Sequence, residues 1–130
     1  MSTVEVILSD YLTENKIDTK LPLVADYNSV LVNVSIKSVS EENKTVDLYA
    51  PVFSGKEYRF ARSVSDYAAS FSEQLQKLKD VKPIFSCNCI LNYLYGKLDG
   101  KATPPFAGPV TFGEVAYQLL NQTLVYAEII

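Results

Sequence analysis

The stretch Ile84-Phe85-Ser86-Cys87-Asn88-Cys89 (IFSCNC) holds both cysteines of the chain and separates two stretches of helical period. From Ile84 to Cys87 the residues are largely apolar with no alternation, which predicts a short strand buried on both faces. Upstream, Tyr67, Phe71, Leu75 and Leu78 recur every three or four residues. Ser63 or Ser65 can cap this segment, Asp66 falls in its first turn, and Lys77 and Lys79 fall in its last, so an amphipathic helix starts near Ser65. Pro83 closes it, because the residue before a proline avoids helical angles. Downstream, Ile90, Leu91, Leu94 and Leu98 predict a shorter second helix, ended by Gly96 or by the Asp99-Gly100 turn.

The same reading extends outward. Val4 to Leu8 is β-branched and predicts an edge strand, and Thr13 to Asn28 is polar, contains Pro22 and reads as a connector. Ser29 to Val39 sets Val30, Val32, Val34 and Ile36 against Asn33, Ser35 and Lys37, the period of a half-buried strand. A polar turn at Ser40 to Lys44 returns the chain through Thr45 to Tyr49, and Glu57 to Ala61 alternates again, which predicts a three-stranded meander. Lys101 to Pro109 contains three prolines and Gly108, the mark of a shaped loop that passes close to something. Val110 to Leu120 reads as strand, with a helical alternative from Val115, and Thr123 to Ile129 as a last strand. The fold class is α+β, a largely antiparallel sheet with two helices packed on one face. Residues 1–27 form an N-terminal strand and connector, and residues 28–130 form the body of a single globular domain.

Composition excludes several functions. The chain has 130 residues, 48% of them apolar, enough for an ordinary core. Fifteen acidic residues outnumber 12 Lys and Arg, so the long-range field repels polyanions and argues against nucleic acid as a partner. No apolar run is long enough for a membrane span, and the N-terminus lacks a secretory pattern, which makes a cytoplasmic protein the expectation.

There is no histidine. Cys-His and Ser-His nucleophile pairs and imidazole-bearing zinc sites are thereby removed. Two cysteines one residue apart supply only two of the four thiolates or imidazoles a structural zinc site needs, so no metal and no cofactor is expected. On a strand Cys87 and Cys89 share a face but diverge too far for an easy disulfide, and a reducing cytosol keeps them as thiols. An enzyme would need Cys87 with Glu114, with no base of suitable pKa in view, so the chain reads as non-enzymatic.

The motif IFSCNC after an amphipathic helix, then a Pro/Gly loop, then FAGPVTFGEVAYQLLNQT and a final apolar strand, resembles the C-terminal half of FIST domains over about residues 28–130. The matches are Phe85, Ser86, Cys87 and Asn88, then Gly108, Gly113, Glu114 and Val115, then Asn121 and Thr123. Cys89 and Ile90 stand where the family has Gly and Arg, and Pro109 replaces an aromatic residue.

The resemblance implies a sensory module for signal transduction that binds a small, amino-acid-like ligand. Ser86, Cys87, Asn88, Gly113, Glu114 and Asn121 are then the candidate ligand-binding residues. Each also has a plainer reading. Cys87 and Cys89 are small core residues, Ser86 and Asn88 cap the second helix, and Glu114 faces solvent or is a buried carboxylate with a partner. Asn121 with Thr123 builds a turn on side-chain-to-backbone bonds. Tyr93, Tyr95, Tyr117 and Tyr126 either line a site or rim the core. The missing Arg, a bidentate partner for a carboxylate, favours an alternative: a protein-interaction or regulatory subunit that has lost its ligand. Such a subunit would work as a homo-oligomer or with a signalling-protein partner.

Overall fold

The computed structural model describes residues 3–115 and 118–130; Tyr117, named above, lies outside them. The fold is α+β, and its chain divides into two compact units, Met1–Ser63 and Val64–Ile130.

The first unit begins with a helix, α1 (Leu8–Glu14), where β-branched Val4 to Leu8 predicts a strand. Val4, Val6 and Ile7 are exposed, while Leu12 is buried. The apolar residues that find a core are thus those at helical spacing. The connector between Thr13 and Asn28 contains a further strand, β1 (Leu23–Tyr27). It pairs antiparallel with β2 (Val30–Val34) in the register Leu23↔Val34, Ala25↔Val32 and Tyr27↔Val30. Asn28 and Ser29 close that hairpin with φ of 55° and 72°, the left-handed angles that a two-residue turn between twisted strands requires.

The alternation predicted over Ser29 to Val39 holds only in part: Val30 is 53% exposed, Ser35 is buried at 2%, and the backbone breaks at Ser35. Val34 and Ile36 are 2% and 4% exposed, so the apolar period runs through the break while the chain changes partner. Residues Ile36–Ser40 form β3, which pairs with β4 (Thr45–Leu48) through a register shift between Ile36 and Ser38. The predicted meander is redirected too. After a turn at Gly55 (φ +80°), β5 (Arg59–Phe60) pairs with β1 rather than with β4, giving the order β2-β1-β5. Leu12, Leu23, Ala25, Val32, Val34, Ile36 and Ala50 are the buried apolar residues of this unit.

In the second unit the predicted first helix is α2 (Tyr67–Lys77), capped by Asp66, whose Oδ1 accepts from Ala69 N at 3.0 Å. Its stripe of Tyr67, Phe71 and Leu75 is half-buried. Then come β6 (Phe85–Cys89) and α3 (Ile90–Tyr95), which ends at Gly96 as its spacing predicts. Strand β6 is buried from Ser86 to Cys89, but Ile84 and Phe85 are exposed, so the strand lies one to two residues later than the apolar run.

Two short strands, β7 (Val110–Thr111) and β8 (Glu114–Val115), precede β9 (Gln118–Leu119) and β10 (Leu124–Ala127). The strand predicted over 110–120 is thus present, at the described positions, only as two-residue pieces, broken at 112–113 and ended before 120. Strand β6 is the centre of a sheet ordered β10-β6-β7, antiparallel to β10 and parallel to β7. Among the described residues the strands form four small sheets rather than one, and three helices rather than two are present. No helix among the described residues is long and apolar enough to cross a membrane.

Candidate functional site

Because successive strand residues point to opposite faces, β6 sends Ser86 and Asn88 one way and Cys87 and Cys89 the other. Cys87 and Cys89 are thiols, 4% and 2% exposed. The Cys87 Sγ donates to Thr111 Oγ1 at 3.6 Å, and that oxygen also accepts from Gly113 N at 3.2 Å. Gly113 has φ +107°, and a Cβ there would stand 3.1 Å from Asn121 Nδ2. Cys87, Gly113 and Asn121 thus gather around Thr111 as packed structure. Asn121 is fully buried, and its carbonyl accepts from Thr123 Oγ1 at 2.8 Å. Glu114 is exposed.

The opposite face carries the shaped loop. Gly108 N donates to Ser86 Oγ at 2.9 Å, and Asn88 N donates to Pro109 O at 3.0 Å. The loop is braced internally by Phe106 N to Thr103 O at 2.8 Å and Thr103 Oγ1 to Phe106 O at 2.9 Å. Phe106 is buried with its ring 5.1 Å from that of Tyr126. Loop and strand enclose a cleft of about 360 Å³, lined by Asn88, Tyr93, Lys101, Thr103, Phe106 and Val110 among others. That volume lies in the range of small-molecule sites, with apolar walls and few polar groups.

The polar end of the cleft is set by a chain of three side chains. Tyr67 Oη donates to Asn92 Oδ1 at 2.5 Å, and Asn92 Nδ2 donates to Asn88 Oδ1 at 3.0 Å. Asn92 is 2% exposed and Asn88 8%. Burial, reinforced by the neighbouring Cys89 and Tyr95, pushes the Tyr67 phenol up to about 12, so it keeps its proton and remains a donor. In these bonds Asn92 turns its oxygen toward Tyr67 and its nitrogen toward Asn88. Asn88 therefore spends its oxygen on Asn92, and its Nδ2 makes no hydrogen bond to any described residue. Tyr93, on the rim, donates to Asp99 Oδ1 at 3.0 Å, a bond that raises its pKa.

A larger groove of about 700 Å³ lies in the first unit, lined by Asp26, Lys56, Glu57 and Arg59 with Val24 and Leu31. Its charged groups are already engaged. Arg59 pairs with Glu57 at 2.7 Å, Lys56 Nζ sits 4.4 Å over the Tyr27 ring, and Asp26 Oδ1 accepts from Ser29 N at 2.6 Å. The smaller cleft, with donors to spare, is the better candidate.

Of the six residues named from sequence, only Ser86 and Asn88 lie on the cleft side of β6. Cys87, Gly113 and Asn121 do not share that face, and Glu114 stands in solvent. Sequence reasoning missed Tyr67, Asn92 and Lys101. A signal for Asn92 was present: it is the one strongly polar residue in Ile90-Leu91-Asn92 and lies four positions from Asn88, a spacing at which side chains meet. Among the described residues there is no group of three or more His, Cys, Asp and Glu that could hold a metal ion.

The chain belongs to the family of unknown function DUF6976, whose model matches residues 2–130. No curated protein and no solved structure matches it.

Proposed function

We propose that this chain is a non-enzymatic, cytoplasmic sensory module that binds a small carboxylate-bearing molecule, the amino-acid-like class implied by its resemblance to the C-terminal half of FIST domains. The observation that carries the reading is the pair formed by the 360 Å³ cleft and the Asn88 Nδ2 that lines it without a protein acceptor. A ligand oxygen placed there accepts from an amide nitrogen that no group among the described residues engages. The proposed site is thus Asn88, with Ser86 holding the loop through Gly108, rather than the Gly113-Glu114 turn.

The test is a thermal-shift screen against amino acids and small carboxylates, on the wild type and on Asn88→Asp. A ligand at a hundredfold over its dissociation constant stabilises by about 2.7 kcal/mol, a rise of several degrees for a chain of this size. The reading requires a hit that disappears in the variant.

A second reading, the interaction subunit, is favoured by the exposure of Ile84, Phe85, Leu94, Val110 and Phe112, which range from 44% to 75%. A flat screen together with a concentration-dependent molecular mass in sedimentation would support it.

A further inference from the structure

We propose that the cleft beside Asn88 selects a monocarboxylate with a short apolar body and no ammonium group. The inference rests on the small-carboxylate part of the reading above and replaces its amino-acid-like class with one that lacks the ammonium. Three observations converge on it.

The first is polarity. With its Oδ1 taken by Asn92, Asn88 can present only N–H to the cleft. The partner must be an acceptor. The second is charge. Lys101 lines the same cleft and joins no ion pair among the described residues, so it supplies one positive charge against the one negative charge of a carboxylate. The third is what the lining lacks. No Asp or Glu occurs among the described residues around the cleft; apart from Asn88, Tyr93, Lys101 and Thr103 they are Leu98, Ala102, Pro104, Pro105, Phe106, Ala107, Gly108 and Val110. Thr103 Oγ1 already donates to Phe106 O, and Tyr93 already donates to Asp99. The ammonium of an amino acid would find no carboxylate among the lining residues, and that of Asp99, behind Tyr93, already accepts from the Tyr93 hydroxyl. A carboxylate on an aliphatic stem instead meets donors at one end and apolar wall along its length.

Tyr67 and Asn92 act as positioning residues in this scheme, since their bonds hold the Asn88 amide with its nitrogen outward. The charge-assisted bond from the Asn88 amide to a carboxylate is worth on the order of tenfold in affinity or more.

The experiment is a heteronuclear NMR titration of the full chain with four probes of one size: butyrate, 2-aminobutyrate, butylammonium and butyramide. Butyrate should shift the Asn88 side-chain amide and the backbone amides of 101–103 and 106–108, and bind about tenfold or more tightly than 2-aminobutyrate. Asn88→Asp still accepts from Asn92, so the fold is retained, but it turns the cleft from donor to acceptor. In it butyrate binding should fall at least tenfold and butylammonium should bind instead. Lys101→Met, a change at an exposed position, should weaken butyrate severalfold and flatten its salt dependence. Binding of butylammonium to the wild type, or of 2-aminobutyrate as tightly as butyrate, overturns the proposal while leaving a small-molecule site standing. Silence from all four probes in a well-dispersed spectrum overturns the small-molecule reading itself, and the proposal with it.

Discussion

Gly108 lies so close to the backbone of Ser86 that a Cβ added to it would stand 1.5 Å from the Ser86 carbonyl oxygen. The obstacle is backbone, which cannot swing aside as a side chain would. Gly108→Ala should therefore lift the loop from β6, break the Gly108 N to Ser86 Oγ bond, and destabilise the protein by about 3 kcal/mol or more. The midpoint of urea unfolding measures this; a variant within 1 kcal/mol of wild type would mean the loop does not dock on the strand.

Tyr67→Phe removes the hydroxyl from the Tyr67–Asn92–Asn88 chain and leaves Asn92 Oδ1 buried without its donor, a loss of about 1–3 kcal/mol at neutral pH. The alkaline limb carries a second signature. The folded phenol titrates at about 12, above its ordinary value of 10.0, so the unfolded chain loses that proton first. Its contribution is full below about pH 10 and is lost as pH rises through about 12. Urea midpoints across this range should fall less steeply in Tyr67→Phe than in wild type, by the slope of one proton.

Cys87 and Cys89 should react with an aromatic disulfide reagent only as fast as the protein opens, because both are buried in a packed strand. In denaturant both label at once. Fast native labelling of either thiol would place it at an open surface and revive a chemical role for this face of β6.

Gly113 and Glu114 are neighbours with opposite expectations. Gly113→Ala puts a side chain at φ +107° against Asn121 and should cost more than about 1 kcal/mol. Glu114→Gln changes an exposed group and should shift stability by no more than about 0.5 kcal/mol. It should also leave any ligand-induced thermal shift untouched, whereas Asn88→Asp should abolish it.

Legibility varied along the chain for identifiable reasons. Helices α2 and α3 and the β3–β4 hairpin follow from local spacing and a turn, all within a few residues, although α2 is capped by Asp66 rather than by Ser63 or Ser65. Helix α1 did not, since Val4, Val6 and Ile7 carry strand character yet find no partner strand and lie exposed. Strand β1 was hidden for the converse reason. Leu23 to Tyr27 is too short to show a period by itself, and it is a strand because β2 and β5 pair with it on either side.

The candidate site divides the same way. That Ser86 and Asn88 face away from Cys87 and Cys89 is contained in the two-residue period of any strand, and the Pro/Gly composition of 101–109 already announced a close approach. Which face of β6 that loop covers is a different matter. So is the bond that joins Tyr67 to Asn92 across 25 positions, or the one that brings Gly108 to Ser86 across 22. Local sequence sets backbone preference and the side of an element on which a residue lies. Contacts between distant segments are chosen by packing the whole unit, and only those contacts turn an ordinary asparagine into a donor at the end of a cleft.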